Sequence, residues 1–370
     1  MKKSTVFLLL FLLYIFAFSN VKNINNPHNG KWNMDKKFLW KTESAGDEVF
    51  GDVQSVVTSS DGKVFVADMK NSLIFIFNEN GKFIRSFGKK GEGPGEIREY
   101  FGGNLFNIIE DRVIFADRTM FHYFDTDGNY LKTVPFSPRL KPREFVNKDV
   151  FISAAVTVDR RRSGPEKILL FNLRTDKKVE ITSFRPFDNA TDTQESGGNQ
   201  VTVGIVIGDI TPMMLVKYHD QKIYYGMNNK SELNVCDLNG NKVLAFSNTL
   251  KKPNRVSRNY KNELKKSLGD IPKNILDNII DSLPPYASFF SSIHIDQKGN
   301  IYLVESNPDS ENIKHIDIYN GKGKYICRTE IRSENEESIK YIHFSGNFMF
   351  LVTEDEDGNV VLSKYRIELP

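Results

Sequence analysis

Short apolar runs separated by polar turns recur along most of the chain. Four of them follow one another near the start, each rich in β-branched and aromatic side chains, at residues 53–58, 64–67, 73–77 and 82–87. Runs of this length and composition are typical of β-strands, so they predict a four-stranded antiparallel meander. Several runs are apolar on both faces, which is expected of sheets that are packed against a neighbour on each side.

Hairpin-type turns repeat between these runs. One series falls at Asn80-Gly81, Gly128-Asn129, Asp176-Lys177, Gly240-Asn241 and Gly323-Lys324. Its first two intervals are 47 and 48 residues. A second series falls at Asp61-Gly62, Asp111, Lys148-Asp149, Asp220-Gln221, Gly299-Asn300 and Gly346-Asn347. Glycine and asparagine supply the positive φ angle of tight hairpins, and six turns predict six repeated units.

The last unit has only three strand-like runs, at residues 341–344, 348–353 and 360–367. An early segment, residues 37–42, has strand character but no unit of its own. We expect it to pair antiparallel with residues 360–367, which closes a ring and leaves no long exposed edge. The pattern predicts an all-β fold, a six-bladed β-propeller of four-stranded antiparallel blades, over residues 36–370 with 36–42 as the closing strand.

Two longer intervals between turns indicate insertions. The first contains a polar stretch at residues 184–199, and the second is residues 250–285. The second has apolar residues at helical spacing, namely Val256, Tyr260, Leu264 and Leu268, then Ile275, Leu276, Ile279, Ile280 and Leu283. Pro272 suits the start of a second helix. We expect a small helical insertion between blades four and five that covers one end of the propeller, with the channel mouth as the functional alternative.

The N-terminus has the layout of a signal peptide. Two lysines precede an apolar run at residues 5–18, and Ala17 and Ser19 place small residues where a signal peptidase cleaves. The run is shorter than the roughly 20 residues of a membrane-spanning helix. We expect residues 1–19 to be removed and residues 20–35 to be flexible, with an uncleaved anchor as the alternative. No cysteine follows the run, so we expect an exported protein, periplasmic or secreted, and not a lipoprotein.

Charge and cysteine content limit the partners. Without Lys2 and Lys3, 48 basic residues balance 47 acidic ones, which gives no general attraction for nucleic acid. Membrane contact is expected only through the signal segment, if it is uncleaved, and the protein is expected to be a monomer. Cys236 and Cys327 are the only cysteines. They either pair in an oxidising compartment or remain buried and free.

The segment between the first two units resembles a known repeat. Residues 87–97, FGKKGEGPGEI, are similar to the blade connection of NHL-repeat propellers and of related exported bacterial six-bladed propellers in the TolB-like group. Residues 64–68 and 113–117 match the same repeat, and Leu283-Pro284-Pro285-Tyr286 resembles a later blade of the exported group. The resemblance implies the propeller fold and no activity, because one fold supports many functions.

Carboxylates follow strands at comparable places in several units. The turn after a predicted strand contains Asp68, Asp117 with its neighbour Arg118, or Glu305. At one end of a propeller such side chains can meet a ligand at the channel mouth. The competing interpretation is structural, since aspartates in these positions accept hydrogen bonds from turn amides.

Two histidines fall in the innermost strands predicted for adjacent units. His294 and His343 are each flanked by apolar residues, and innermost strands line the channel. They either share a ligand there or pack as ordinary histidines. No third metal ligand is evident, because His122, His219 and His315 occupy other strand positions and no zinc spacing motif is present.

Basic residues cluster at Arg160-Arg161-Arg162 and along the helical insertion. They form either a solvated surface or a site for an anionic target, such as an acidic glycan or a membrane surface. No nucleophile elbow, zinc-protease helix or phosphate-binding loop occurs, so no catalytic residue is assigned.

The leading functional hypothesis is an exported, non-catalytic propeller that binds a protein or glycan ligand at one end of the ring. The alternatives are a metal-dependent, lactonase-like hydrolase and a scaffold for envelope assembly. No cofactor is predicted, and calcium is expected only for the hydrolase. Three or more clustered acidic and amide side chains in the channel would favour the hydrolase, and a broad exposed apolar patch would favour the scaffold.

Overall fold

The computed structural model of the chain describes residues 18–24, 34–97, 105–117, 119–155, 165–185, 190–196, 199–205, 209–268 and 271–368. The described chain starts with β1 (Ser19–Asn23), β2 (Asp35–Thr42) and a short hairpin of β3 (Ser44–Ala45) and β4 (Glu48–Val49). Blade one follows, from inner to outer strand, as β5 (Val53–Thr58), β6 (Val64–Asp68), β7 (Leu73–Phe77) and β8 (Phe83–Phe87).

The next two blades repeat this order. Blade two consists of β9 (Phe106–Ile109), β10 (Arg112–Ala116), β11 (Met120–Asp125) and β12 (Tyr130–Pro135). Blade three consists of β13 (Leu140–Asn147), β14 (Val150–Ala155), β15 (Glu166–Asn172) and β16 (Lys178–Phe184). A separate hairpin of β17 (Ala190–Ser196) and β18 (Asn199–Ile205) then precedes blade four. It begins in residues 184–199, the stretch interpreted from sequence as a polar insertion, and extends beyond them.

The second half contains the two helices and three blades. Blade four consists of β19 (Met214–His219), β20 (Lys222–Met227), β21 (Glu232–Asp237) and β22 (Lys242–Asn248). The helices α1 (Arg258–Ser267) and α2 (Lys273–Ser282) follow. Blade five consists of β23 (Ser292–Ile295), β24 (Ile301–Val304), β25 (Ile313–Tyr319) and β26 (Tyr325–Arg332). Blade six consists of β27 (Ser338–Ser345), β28 (Phe348–Glu354), β29 (Val360–Glu368) and, outermost, β2.

The apolar core lies between the blades. In the described part of the chain, one cluster of buried apolar side chains fills each of the six interfaces between successive blades. Between blades one and two, for example, Phe65 and Phe115 are both fully buried. A strand in the middle of a blade therefore has an apolar neighbour on each face, which explains the runs that are apolar on both faces.

The ring has two distinct ends. At the turn end lie the turns that join the first strand of a blade to the second and the third to the fourth. At the connector end lie the connections between blades and the turns that join the second strand to the third. In the turn Asp125–Asn129, Gly128 has a φ of 80° and the Asp125 carboxylate accepts hydrogen bonds from the amides of Asp127 and Asn129. The predicted repeat of turns therefore forms one face of the molecule.

The predicted antiparallel pairing of the two distant segments is present. Asp35 pairs with Glu368 and Thr42 with Leu362, so β2 becomes the outer strand of blade six. Trp40 is nearly buried, and its indole N–H donates to the carbonyl of Glu79 in blade one (2.9 Å). A Cβ at Gly81 would lie only 2.6 Å from the Trp40 ring, so this turn has to carry glycine.

The N-terminal segment differs from the flexible stretch expected at residues 20–35. Residues 20–23 belong to β1, which pairs parallel with the outer strand β22 of blade four. Asn23 is buried, and its side-chain amide donates to the carbonyls of Ser247 and Gly323 while its amide oxygen accepts from Tyr325 N. The expectation is wrong for these residues because β1 gains its partners from blades four and five. Residues 25–33 and residues 1–17 of the predicted signal segment 1–19 lie outside the described residues, whereas Ser19 is the first residue of β1.

The helical insertion lies at the connector end between blades four and five, as predicted. Ser257 caps α1 by accepting a hydrogen bond from the amide of Tyr260 (3.0 Å), and Pro272 precedes the first residue of α2. Four residues of α2 are buried, Ile275, Leu276, Ile279 and Ile280. Leu276 and Ile280 pack with Ile210 and the partly buried apolar residues of α1, so the two helices share one small core at this end.

Candidate functional site

Asp68 ends β6 and is almost fully buried. Its carboxylate accepts hydrogen bonds from the amides of Gly51 (2.7 Å), Asp52 (3.2 Å) and Asn71 (3.1 Å), and from the Asn71 side chain. Gly51 and Asp52 belong to the connection that enters blade one. The carboxylate therefore holds the incoming chain against the blade, which favours the turn-acceptor interpretation of this residue.

Asp117 follows β10 in the same way. Its carboxylate accepts from the amides of Thr119 (2.9 Å) and Met120 (2.8 Å), and its other oxygen lies 2.9 Å from Nε2 of His122. Burial acts to raise the pKa of Asp117, but the hydrogen bonds from His122 and the two amides outweigh it and lower the pKa below its ordinary value. Arg118 lies outside the described residues.

Glu305 belongs to a buried network of charges in blade five. Its carboxylate lies 3.2 Å from Arg328 and 3.4 Å from the His315 ring. Arg328 also donates to Asp317 (2.9 Å), and Asp317 forms a second ion pair with Lys251 from the connection that follows blade four. The Glu305 carboxylate is thus neutralised within the protein, and the network ties blade five to the preceding connection.

The two predicted channel histidines are both on inner strands, His294 on β23 and His343 on β27. His294 lies 3.0 Å from the hydroxyl of Ser292, and its ring packs 5.2 Å from that of Phe344. His343 has a buried Nε2 atom without a hydrogen-bond partner in the described structure. Adjacent blades therefore bring these two imidazoles to the same part of the channel.

Two charged residues that sequence reasoning missed complete this group. Lys217, on the inner strand β19, lies 2.7 Å from a carboxylate oxygen of Glu144 on β13. Burial raises the pKa of Glu144, and Lys217 opposes that effect. The sequence does contain a charged residue within each of these two strands. The turns of blades three and four are irregularly spaced, however, so the positions of the two inner strands could not be recognised.

The electrostatics of the channel keep both histidines neutral near pH 7. Burial lowers the pKa of His343 to about 4, and the positive charge of Lys217 adds to that effect. The pKa of His294 lies well below its ordinary value because of burial, Lys217 and His343. A neutral imidazole carries one donor and one acceptor, so both rings can bind a polar ligand.

The described residues do not include a group of three or more histidine, cysteine or carboxylate side chains placed to hold a metal ion. Among the inner strands, the sole described carboxylate is Glu144, and it is paired with Lys217. The basic cluster at Arg160-Arg161-Arg162 lies outside the described residues. Cys236 and Cys327 are buried and free, in two different interblade clusters, which excludes a bond between them in this structure.

A polar cleft of about 610 Å³ opens at the turn end. Turns from three blades form its walls, residues 58–62 of blade one, residues 296–300 of blade five and residues 346–348 of blade six, together with the end of β29. Its volume is within the range of ligand pockets in proteins. The repeat arrangement predicts the individual turns, but not the space that they enclose.

The chemistry of this cleft is mixed polar and basic. Lys298 and Arg366 line it with exposed side chains, and neither forms an ion pair within the part of the chain that the structure describes. The exposed residues Ser60, Gln297 and Asn347 add hydroxyl and amide groups. Asp296 also lines the cleft, but its carboxylate accepts hydrogen bonds from Lys298 N, Asn300 and Tyr302. The exposed charged side chains that line it are therefore two cations, Lys298 and Arg366, and one anion, Glu368.

No helix in the described ranges is long and apolar enough to cross a membrane. No curated protein matches the sequence. Residues 43–146 match the model of the DUF5128 family, described as a 6-bladed beta-propeller. The match covers less than half of the chain.

Solved structures match the whole ring. A Bacteroides fragilis protein assigned as exported is 12% identical, with a TM-score of 0.56 over 95% of this chain and 100% of that one. A member of the DUF4221 family from Bacteroides vulgatus is 11% identical, with a TM-score of 0.56 over 92% and 100% of the two chains. At such identities, the likeness shows the fold alone.

A calcium-binding protein, regucalcin from Agrobacterium tumefaciens, is 10% identical over 95% of this chain and 97% of that one. Its TM-score of 0.42 is too low to carry an argument about this chain. The findings support a propeller family in general and not the narrower NHL or TolB-like assignment. Strand order, family match and structural likeness together identify the chain as a six-bladed β-propeller with blades of four antiparallel strands.

Proposed function

We propose that this protein is an exported, non-catalytic binding protein that takes an acidic glycan at the turn end of its ring. The observation that carries this proposal is the polar cleft of about 610 Å³ between blades one, five and six. Its walls are three short turns on the rigid strands of different blades. Such a cleft is largely pre-formed, which reduces the entropy that binding has to overcome.

The groups in the cleft suit an acidic carbohydrate. Lys298 and Arg366 supply positive charge for a carboxylate or sulfate group, and Arg366 has a planar guanidinium that can donate two parallel hydrogen bonds. Ser60, Gln297 and Asn347 offer hydroxyl and amide groups to sugar hydroxyls. Phe348 lines the same cleft and is partly exposed, so it offers an aromatic surface to a sugar ring.

Export is proposed on three grounds. The apolar run at residues 5–18, preceded by two lysines, has the layout of a secretion signal. In addition, a protein with a similar fold over the whole ring, from Bacteroides fragilis, is assigned as exported. The resemblance of residues 87–97 to the connection of NHL-type and TolB-like exported propellers supports the same proposal.

The two alternatives receive less support from the described residues. The hydrolase requires clustered carboxylate and amide ligands in the channel, whereas Glu144 is already paired with Lys217 there. The scaffold requires a broad apolar surface. The exposed large apolar side chains are instead distributed over separate blades, for example Phe38 in blade six, Leu131 in blade two and Ile326 in blade five.

The proposal is tested by glycan binding to the full exported chain. An array of acidic and neutral glycans is screened first, and the affinity of each acidic ligand that binds is measured by isothermal titration calorimetry. The double substitution Lys298→Glu and Arg366→Glu is expected to weaken binding at least tenfold, because both cations of the cleft become anions. Lys273→Glu is the matched control, since it makes the same change on α2 at the connector end.

Two outcomes contradict the proposal. One is equal binding by wild type and the double variant, and the other is binding of neutral glycans alone. Thermal stability gives a separate test of the hydrolase. If the channel held a catalytic metal, calcium would raise the melting temperature and EDTA would lower it through binding linkage. We expect no shift with either reagent, and a clear calcium-dependent rise would favour the hydrolase.

A further inference from the structure

The wall of the central channel is chemically asymmetric. Blades one and two contribute no ionisable side chain through their inner strands β5 and β9. The other four inner strands carry such residues, namely Lys141, Arg143 and Glu144 on β13, Lys217, Tyr218 and His219 on β19, His294 on β23, and Lys340, Tyr341 and His343 on β27. All ionisable side chains of the inner strands therefore come from blades three to six.

Several of these groups interact away from the middle of the channel. Lys141 pairs with Glu166 (3.3 Å), and Lys340 pairs with Glu354 (3.3 Å). The Arg143 charge interacts with Glu166, and the Tyr341 hydroxyl accepts a hydrogen bond from Gln54 near the connector end. Tyr218 and His219 lie next to the turn end of β19. Four side chains remain, one from each of the blades three, four, five and six.

These four are Glu144, Lys217, His294 and His343. The ammonium group of Lys217 contacts one carboxylate oxygen of Glu144 at 2.7 Å, which leaves further N–H donors on the lysine. About a third of the Lys217 side chain is exposed, whereas Glu144 is buried. Lys217, His294 and His343 lie on the inner strands of three successive blades, four, five and six, so all three groups line the same side of the channel.

One buried atom of this group has unused hydrogen-bonding capacity. The buried Nε2 of His343 has no hydrogen-bond partner in the described structure, and such an atom is costly to leave unpaired. A cation would be repelled by Lys217, and an apolar ligand would leave the imidazole unpaired. A ligand that accepts hydrogen bonds and carries negative charge satisfies both groups at once.

We propose that the middle of the channel binds a small oxyanion, a carboxylate or sulfate group, between Lys217 and His343, with His294 beside it. None of these residues lines the cleft at the turn end. The negative charge of the ligand offsets the effect of Lys217 on the neighbouring imidazole. His343 therefore takes up a proton when the anion binds, and binding is stronger at lower pH.

Isothermal titration calorimetry with sulfate tests the site, because sulfate keeps one charge state across the pH range used. Wild-type protein is expected to bind sulfate about tenfold more tightly at pH 5.5 than at pH 7.5, as proton uptake by His343 requires. His343→Gln is expected to remove this difference. His219→Gln, on the inner strand of blade four but at its turn end, is the matched control and is expected to retain it.

A second variant pair tests the lysine without leaving an unpaired carboxylate. Lys217→Met combined with Glu144→Gln removes both charges of the ion pair, and it is expected to lose sulfate binding at both pH values. The double substitution Lys298→Glu and Arg366→Glu in the cleft is expected to leave this sulfate binding unchanged. If the cleft variant fails to bind sulfate, the anion binds in the cleft and the proposal of a channel site is wrong.

Histidine NMR signals provide a readout that a purely structural role does not move. The carbon-bound ring protons of His343 are expected to titrate at a higher pH when sulfate is present. Formate in place of sulfate tests whether a carboxylate has the same effect. The proposal is overturned if the His343 titration is unaffected by both anions, or if wild-type and the Lys217→Met and Glu144→Gln variant bind sulfate equally.

Discussion

Blades one and six have the same four-strand arrangement but are assembled from the chain in different ways. Blade one uses consecutive strands within residues 53–87, joined by short turns. Blade six takes three strands from the C-terminal part of the chain and its outer strand β2 from the N-terminal part. Blade one can form from local contacts, whereas blade six is complete only when the ring closes.

Contacts between blade six and blade one hold the closed ring together. Trp40 of β2 stacks on Phe77 of blade one, with ring centres 6.2 Å apart, and donates to the carbonyl of Glu79. Lys364 of β29 is also buried, with its ammonium group 4.1 Å from the centre of the Phe348 ring and 3.3 Å from the same carbonyl. Burial lowers the pKa of Lys364. A few side chains therefore join the last blade to the first.

The largest predicted effect comes from removing the closing indole. Trp40→Ala is expected to lower the free energy of unfolding by about 3–5 kcal/mol, because it removes a buried aromatic ring and the contact with Glu79. Phe38→Ala is the control on the same strand, since 49% of Phe38 is exposed, and it is expected to cost less than about 1 kcal/mol. Urea unfolding curves measure both. Similar losses for the two variants would show that closure does not depend on Trp40.

A smaller effect is expected at the carboxylates that end the second strand of each of these blades. Asp68→Ala is expected to destabilise the protein by about 2–3 kcal/mol, because it leaves the partly buried amides of the chain entering blade one without an acceptor. Asp355 in blade six accepts only from its own turn, at Asp357 and Asn359. Asp355→Ala should therefore have a clearly smaller effect in thermal unfolding, and the reverse order would contradict this account.

The smallest predicted effect is on the pH dependence of stability. It distinguishes the inner strand of blade six from that of blade one. His343 in blade six has a pKa of about 4 in the fold, below its usual value of about 6.5 in an unfolded chain. Between these values the unfolded chain binds more protons, so stability falls as the pH decreases from about 6.5 towards 4. We expect His343→Gln to remove about 1–2 kcal/mol of this loss at pH 5.

The control for that experiment is Ser345→Ala, which alters the same strand without changing an ionisable group. It removes the hydroxyl contact with Thr58 in blade one, so its effect on the free energy of unfolding should be equal at pH 7 and pH 5. Urea unfolding at the two pH values measures both variants. An unchanged acid sensitivity in His343→Gln would show that other groups, such as the network around Glu305, determine it.

Much of the fold follows from local sequence patterns, and the candidate site follows only in part. His294 and His343 were identifiable because each interrupts an apolar inner strand. Glu144 and Lys217 were not, because they come from blades whose turns have irregular spacing, and their contact joins two strands that are distant in the sequence. The cleft at the turn end was not predictable either, since its volume depends on how turns of three blades are arranged.

The N-terminal strand β1 also could not be predicted from the local sequence. β1 has the sequence SNVKN, which has no apolar alternation, so the expectation of a flexible segment followed from its composition. Its strand conformation depends on the free outer edge of β22 and on the buried partners of Asn23 in blade five. A polar segment of this kind adopts a strand because tertiary contacts provide hydrogen bonds that local propensity does not.

The sequence by itself determined the strands of blades one and six, the hairpin turns, the number of blades and the need for a closing strand. These features depend on side-chain alternation, on glycine and asparagine in tight turns, and on the repeat, all of which act over a few neighbouring residues. Only the tertiary structure decided that Lys217 meets Glu144 near two histidines, and that three turns enclose a cleft. The physical reason is that the packing of blades around the ring brings together groups that are far apart along the chain.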